Sequence, residues 1–146
     1  MKLSTRTRYG TRAIIELALS HGKGPLQTKL IAQRQQISAK YLEQVMAMLK
    51  SAGFVRSVRG AKGGYVLAKA PNHIRLGDVF AALEGPLVTV ECLENEDYCS
   101  RTAVCLARDL WAQVQQAIDS VLESVTVQDL LEKARDEKVK TPNYQI

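Results

Sequence analysis

Apolar residues at Tyr9, Ala13, Ile14, Leu17 and Ala18 recur at helical spacing behind Ser4, a candidate N-cap, and His21-Gly22-Lys23-Gly24-Pro25 ends the pattern after about Ser20. A shorter helical segment follows Pro25 and reaches about Gln35, with Leu30 and Ile31 facing inward. Gln36-Ile37 then forms a tight connection to a second candidate N-cap, Ser38. The segment SAKYLEQVMAMLKSAG sets Tyr41 or Leu42, Val45, Met46 and Leu49 on one stripe and stops at Gly53. Next, the β-branched and aromatic runs Phe54-Val55, Val58 and Tyr65-Val66-Leu67 flank RGAKGG, which predicts a hairpin with a basic, Gly-rich tip. LGDVFAALEG predicts one more short helix ending at Gly85.

Beyond an acidic stretch the period changes. From about Thr102 to Val125 the apolar residues fit a heptad, with Val104, Trp111, Ile118 and Val125 at one position and Ala107, Val114 and Val121 at the other. Three heptads are enough for a dimer seam. A last helix starts at Thr126, where Thr126 and Asp129 have capping-box spacing, and the tail KVKTPNYQI is expected to fray. No internal repeat or low-complexity tract interrupts this order.

Three helices, the second and third joined by a tight turn, followed by a two-stranded hairpin, is the order of a winged helix-turn-helix. The expected class is therefore mainly α with a small β-hairpin wing, followed by a long dimerisation helix. Expected units are a DNA-binding domain over 1–85, a cysteine-containing loop over 86–101, and a dimerisation helix with C-terminal helix and tail over 102–146.

Charge supports the division. Residues 1–75 hold 14 Lys and Arg against two acids, whereas residues 76–146 hold 6 against 13, so a half of +12 precedes a half of −7. A basic half of this kind suits a polyanion. A recognition helix of about 10–12 Å diameter fits the major groove, and its first turns must carry groups that reach base edges and phosphates. Ser38, Lys40, Tyr41, Glu43 and Gln44 occupy those turns. Gln44 can pair with adenine, Glu43 can accept from the cytosine amino group, and Lys40 and Ser38 suit phosphates. Arg59 and Lys62 on the wing suit a narrow minor groove. Tyr41 serves equally well as a base contact or as an aromatic packed against the second helix. Lys40, Lys62 and Arg56 are also ordinary solvated charges in so basic a half. A phosphate-binding loop is excluded at GAKGG, because no Lys-Ser or Lys-Thr pair closes it.

All three cysteines fall in the window ECLENEDYCSRTAVCLARDLW, as Cys92, Cys99 and Cys105. Zinc sites usually use close ligand pairs, which are missing here, whereas iron-sulfur clusters accept wider spacing on a loop. Cys105 is expected in the first turns of the long helix, where a thiolate has a lowered pKa. Spacing leaves cluster ligation, reactive or disulfide-forming thiols, and zinc or simple packing all open. Lacking both a long apolar run and a secretory signal pattern, the chain is expected in the cytoplasm, without a membrane partner.

Taken together, MKLSTRTRYGTRAIIELAL, ISAKYLEQV, SVRGAKGGYVLAK, LGDVFAALEG and the cysteine window running into CLARDLW resemble the iron-sulfur cluster regulator (IscR-like) family of bacterial winged helix-turn-helix transcription factors. The resemblance covers about residues 1–130. It implies a homodimeric repressor of double-stranded operator DNA with a long helix crossing between subunits. It also implies an iron-sulfur cluster, commonly 2Fe-2S with 4Fe-4S as the alternative, held by Cys92, Cys99 and Cys105. It assigns base-reading contacts to Ser38, Tyr41, Glu43 and Gln44, and a wing contact to Arg59. The genes implied are those of cluster biogenesis or related stress responses.

One position departs from the family pattern. Arg108 stands where the IscR branch has a histidine as fourth ligand, and Arg8 and Arg12 stand in the region from which nitric-oxide-sensing relatives take an acidic ligand. Glu94, Glu96, Asp97, Asp109, a residue of a second subunit, water or a small thiol remain as candidate fourth ligands. His21 and His73 read as surface histidines. An alternative within the same fold is a thiol-redox or partner-docked regulator without a cluster. An enzyme is not expected, since the sequence offers no nucleophile with a positioned base and no small-molecule substrate site.

Overall fold

The computed structural model describes residues 2–140 and contains six α-helices and one two-stranded antiparallel sheet among them. Helix α1 (Thr5–Leu19) begins where Ser4 Oγ accepts from the Thr7 amide at 3.2 Å. It buries Ala13, Ile14, Leu17 and Ala18 of the stripe predicted by spacing, leaves Tyr9 half-buried, and adds Thr7 and a close-approach point at Gly10. A Cβ at Gly10 would overlap Leu83 Cδ1 and meet Val45 Cγ1 at 3.2 Å, so glycine lets α1 sit directly against its neighbours.

Helix α2 (Thr28–Gln35) ends at Gln36, which takes left-handed φ of 55°. That single residue reverses the chain, buries Ile37, and hands it to α3 (Ala39–Ser51), capped by Ser38 Oγ from the Tyr41 amide at 3.4 Å. Of the two residues the sequence allowed on the α3 stripe, Leu42 is the fully buried one, with Val45, Met46 and Leu49. Gly53, at φ 83°, ends the helix.

Strands β1 (Val55–Val58) and β2 (Gly64–Leu67) pair in the register Val55↔Leu67 to Val58↔Gly64. The wing is tied back to the body by reciprocal Leu26–Tyr65 backbone bonds of 2.9 and 2.7 Å. A 3-10 turn at Pro71–His73 leads to α4 (Leu76–Glu84).

Helix α5 (Leu106–Ser124) starts about four residues later than its apolar pattern suggests. The reason is local: Thr102 and Val104 donate to the carbonyls of Cys99 and Arg101, so residues 101–104 close successive turns instead of entering a helix. Cys105 is accordingly the N-cap of α5, not a first-turn residue, and Val104 drops off the heptad at 73% exposure. Helix α6 (Val127–Lys140) opens with the expected capping box, Thr126 N to Asp129 Oδ2 at 2.8 Å and Asp129 N to Thr126 Oγ1 at 3.2 Å. It returns to α1, placing Val127 and Leu131 in the common core. Of the tail expected to fray, residues 138–140 belong to α6, and residues 141–146 lie outside the described residues.

Candidate nucleic-acid interface and cysteine loop

Ser38, Lys40, Glu43 and Gln44 are exposed together on the first turns of α3. Tyr41, between them in sequence, is half-buried and meets Tyr9 edge to face, with ring centroids 5.8 Å apart. Tyr41 therefore packs on α1 through Tyr9, a partner that sequence, which left base contact and packing against the second helix equally open, did not name. Tyr41 thus keeps part of its surface open beside Ser38, Lys40, Glu43 and Gln44 in sequence.

Tyr9 is flanked by two guanidinium groups, Arg8 at 6.0 Å and Arg12 at 5.5 Å from its centroid. Arg12 also donates to Gln35 Oε1 at 2.7 Å and to the Gln35 carbonyl at the end of α2. Gln35 in turn donates to Glu16 at 2.6 Å, and Arg34 pairs with Glu16 at 3.4 Å. This network caps the C-terminus of α2 from α1 and fixes the approach to the tight turn. Sequence reading missed it, because a cap supplied from 23 positions away leaves no local signal.

On the wing, Arg59 and Lys62 are exposed at the tip, and Gln27 Nε2 braces the tip by donating to the Ala61 carbonyl at 3.3 Å. The tip folds through Gly63 N to Gly60 O at 3.0 Å. Gly64, at φ 144°, would drive a Cβ into the Leu26 carbonyl, so the Leu26–Tyr65 tether requires glycine there.

Helices α1 and α4 are joined at their ends by Glu84. Its Oε2 accepts from Ser4 N at 3.1 Å, from Ser4 Oγ at 2.7 Å and from Thr7 Oγ1, while Arg6 Nε donates to the Leu83 carbonyl at 2.6 Å. The Thr7 hydroxyl, followed by that of Ser4, holds the Glu84 carboxyl below its ordinary pKa despite partial desolvation.

The chain then runs along α5. Gln115 receives the Thr89 amide at 2.8 Å and donates to the Leu87 carbonyl at 2.7 Å, clamping this connector from both sides. Two 3-10 turns, Glu91–Leu93 and Glu96–Tyr98, carry the cysteine loop. Cys92 is half-buried in the first turn, Cys99 is exposed after the second, and Cys105 is half-buried at the α5 N-cap. All three thiols are free. Cys99 and Cys105 line one open cavity of about 690 Å³ with Thr102, Arg108 and Asp109, and Cys92 does not. Arg108 Nη2 and Nε donate instead to the Cys92 carbonyl, at 3.1 and 3.4 Å, and Nη2 lies 3.9 Å from Glu96 Oε1. Among the described residues, no three His, Cys, Asp or Glu side chains converge as a metal centre.

Relatives decide the class. A profile of the Rrf2 family, described as iron-dependent transcriptional regulators, matches residues 3–133. The chain belongs to the Rrf2 family. CymR of Bacillus subtilis, an HTH-type transcriptional regulator, is 46% identical over 130 residues, 89% of each chain. The solved structure of CymR (YrzC), the global cysteine regulator of B. subtilis, superposes with TM-score 0.79 at 44% identity, over 91% of this chain and 98% of that one. An IscR from T. potens superposes with TM-score 0.77 at 39% identity, over 94% and 91%. Like these Rrf2 proteins, the chain is a winged-helix transcriptional regulator and not an enzyme. IscR-like proteins are thus among its relatives, as the sequence motifs implied, and CymR is the more similar of the two. No helix among the described residues is long and apolar enough to cross a membrane.

Proposed function

We propose that this Rrf2 protein is a cytoplasmic, homodimeric repressor of promoter DNA whose affinity for its operator is modulated by an iron-sulfur cluster, 2Fe-2S or 4Fe-4S, on Cys92, Cys99 and Cys105. One observation carries the DNA half. Ser38, Lys40, Glu43 and Gln44 stand exposed on the capped first turns of α3, while Arg59 and Lys62 stand exposed on a wing braced by Leu26 and Gln27. In this reading α3 enters the major groove. Gln44 pairs with an adenine edge, Glu43 accepts from a cytosine amino group, the half-buried Tyr41 adds a base contact, and Ser38 and Lys40 grip phosphates. Arg59 and Lys62 follow the adjacent minor groove.

The donor chemistry fits a cluster: three free thiols, each at least partly open, on a loop of short turns that can wrap a bound group. Cys92, Cys99 and Cys105 would hold it, and Cys92 would have to turn toward the cavity that the other two share. Bound there, the cluster supplies a tie sensitive to iron or oxidant between the loop and the start of α5. We assign the functional units to 1–85, 86–101 and 102–146, with α5, which begins at Leu106, as the dimer helix. Likeness to a global cysteine regulator and to IscR supports target genes that handle sulfur or assemble clusters.

A second reading, a thiol switch without a cluster, is favoured by the cavity shared by Cys99 and Cys105 alone. Anaerobic purification with iron and sulfide analysis separates the two. Iron and sulfide in equal amounts, with visible absorption, support the cluster. A colourless protein that shifts on non-reducing gels after oxidation supports the switch, and stoichiometric zinc sinks both.

A further inference from the structure

A separate cleft of about 230 Å³ lies on the seam between α1 and α6. Its floor is apolar: Leu131 is 5% exposed, and Pro71 is buried. Its rim is cationic. His21 and Lys23 reach it from the turn after α1, which is closed by His21 N to Ala18 O at 3.1 Å and Lys23 N to Ser20 O at 2.9 Å. Arg135 and Gln128 reach it from α6. These groups come from positions more than a hundred residues apart, and both supporting segments are anchored in the core, α1 by Leu17 and Ala18 and α6 by Val127 and Leu131.

Charge balance there is one-sided. Among the described residues no carboxylate lines the cleft, and neither Lys23 nor Arg135 has an ion-pair partner. The nearby Glu132 is occupied by Gln128 Nε2 at 3.2 Å. Two exposed cations and an imidazole around an apolar floor match a ligand with an anionic head and a short hydrocarbon body. The volume falls below the roughly 300–1,000 Å³ of sites for drug-sized ligands, so the body must be compact.

We propose that this cleft binds a small organic carboxylate, its head held by Lys23 and Arg135 and its apolar body laid on Leu131 and Pro71. The ligand would bridge the DNA-binding body and the C-terminal helix. This site is independent of the cysteine loop.

The test is an amide-resolved NMR titration of the full chain with pentanoate, pentanol and inorganic phosphate, which offer head plus body, body alone and charge alone. Pentanoate should give saturable shifts at residues 21–23 and 128–135. Lys23→Gln and Arg135→Gln should each weaken it about fivefold, the scale of an exposed charge contact. Phosphate and pentanol should bind roughly tenfold more weakly, since each lacks half of the recognition. Non-saturating shifts, shifts indifferent to both substitutions, or phosphate equal to pentanoate would overturn the proposal. Both exchanges leave α3 and the wing intact, so operator binding measured alongside separates failure of this site from failure of the DNA reading.

Discussion

Arg108 holds Cys92 through its main-chain carbonyl, not its thiol, with donor distances of 3.1 and 3.4 Å across 16 positions of chain. The guanidinium therefore closes the cysteine loop onto α5 while leaving every sulfur free. A residue that cannot ligate iron thus serves as the clasp of the loop that would. Arg108→Gln should open that clasp. In metal-free protein, alkylation of Cys92 should speed up several-fold, while Cys99, already exposed, should react at an unchanged rate. Mass-spectrometric labelling kinetics read both sites in one experiment, and equal rates for Cys92 in the two proteins would refute the clasp.

For DNA reading, the two side chains on the same exposed face of α3 should fail differently. Gln44→Ala should relax discrimination at one base position by about 1–3 kcal/mol and leave other positions alone. Lys40→Ala should weaken all sequences alike and lower the log-log salt slope by about 1. Competition binding over single-base operator variants at several salt concentrations distinguishes the two patterns. Identical behaviour of both variants would count against the assigned orientation of α3.

At Glu84 the pH dependence follows from its depressed pKa. A carboxyl held below its ordinary pKa of 4.5 stabilises the fold above that value, and the gain is lost as pH falls through the folded pKa. Wild type should therefore exceed Glu84→Gln in denaturation midpoint at pH 7, and the gap should narrow progressively as pH drops below 4.5. A gap that stays constant into acid would show that the Ser4 and Thr7 hydroxyls do not depend on the Glu84 charge.

Much of this architecture was legible in sequence because its signals are local. Ser4, Ser38 and the Thr126–Asp129 pair mark helix starts through side chains within three residues of the amides they bond. Gly53 and the Gly-rich wing mark reversals by backbone freedom. What sequence did not reveal is long-range or cooperative. The Arg12–Gln35 cap and the Glu84 junction join positions 23 and about 80 apart. The start of α5 was misread because the turns at 101–104 satisfy their amides with loop carbonyls, a choice that apolar spacing cannot register. Ser38, Lys40, Glu43 and Gln44 could be grouped from sequence because they lie on the first turns of one helix, whereas the cavity lined by Cys99 and Cys105 without Cys92 depends on how the loop folds, which spacing cannot show.

Close approach at Gly10 makes a stability prediction. Gly10→Ala would gain helix propensity, worth about 1 kcal/mol. It would also force a methyl into Leu83 Cδ1 and against Val45, both almost fully buried. Overpacking in a filled core typically costs about 1–3 kcal/mol, so the net change should be destabilising. Chemical denaturation of Gly10→Ala and of the double variant with Leu83→Ala tests the cause. The cost of the alanine should shrink or reverse once Leu83 is shortened, and undiminished cost would place the strain elsewhere.

The face of α5 turned away from its own core makes the last prediction. Trp111, Val114 and Ile118 form an apolar groove with Val90, and Val121 extends the stripe at 58% exposure. A solvent-exposed apolar stripe of this length on a 19-residue helix is costly unless covered, and its heptad spacing suits a second copy of the same helix. Val121→Glu puts a charge on that stripe without touching the core. With α5 as the proposed dimer seam, the variant should sediment as a monomer where the parent protein sediments as a dimer, with its helical content retained. Operator affinity should fall by several orders of magnitude, because two half-sites would no longer be held by one particle. If the variant still sediments as a dimer with full operator affinity, α5 is not the seam and the stripe must be covered by something other than its twin.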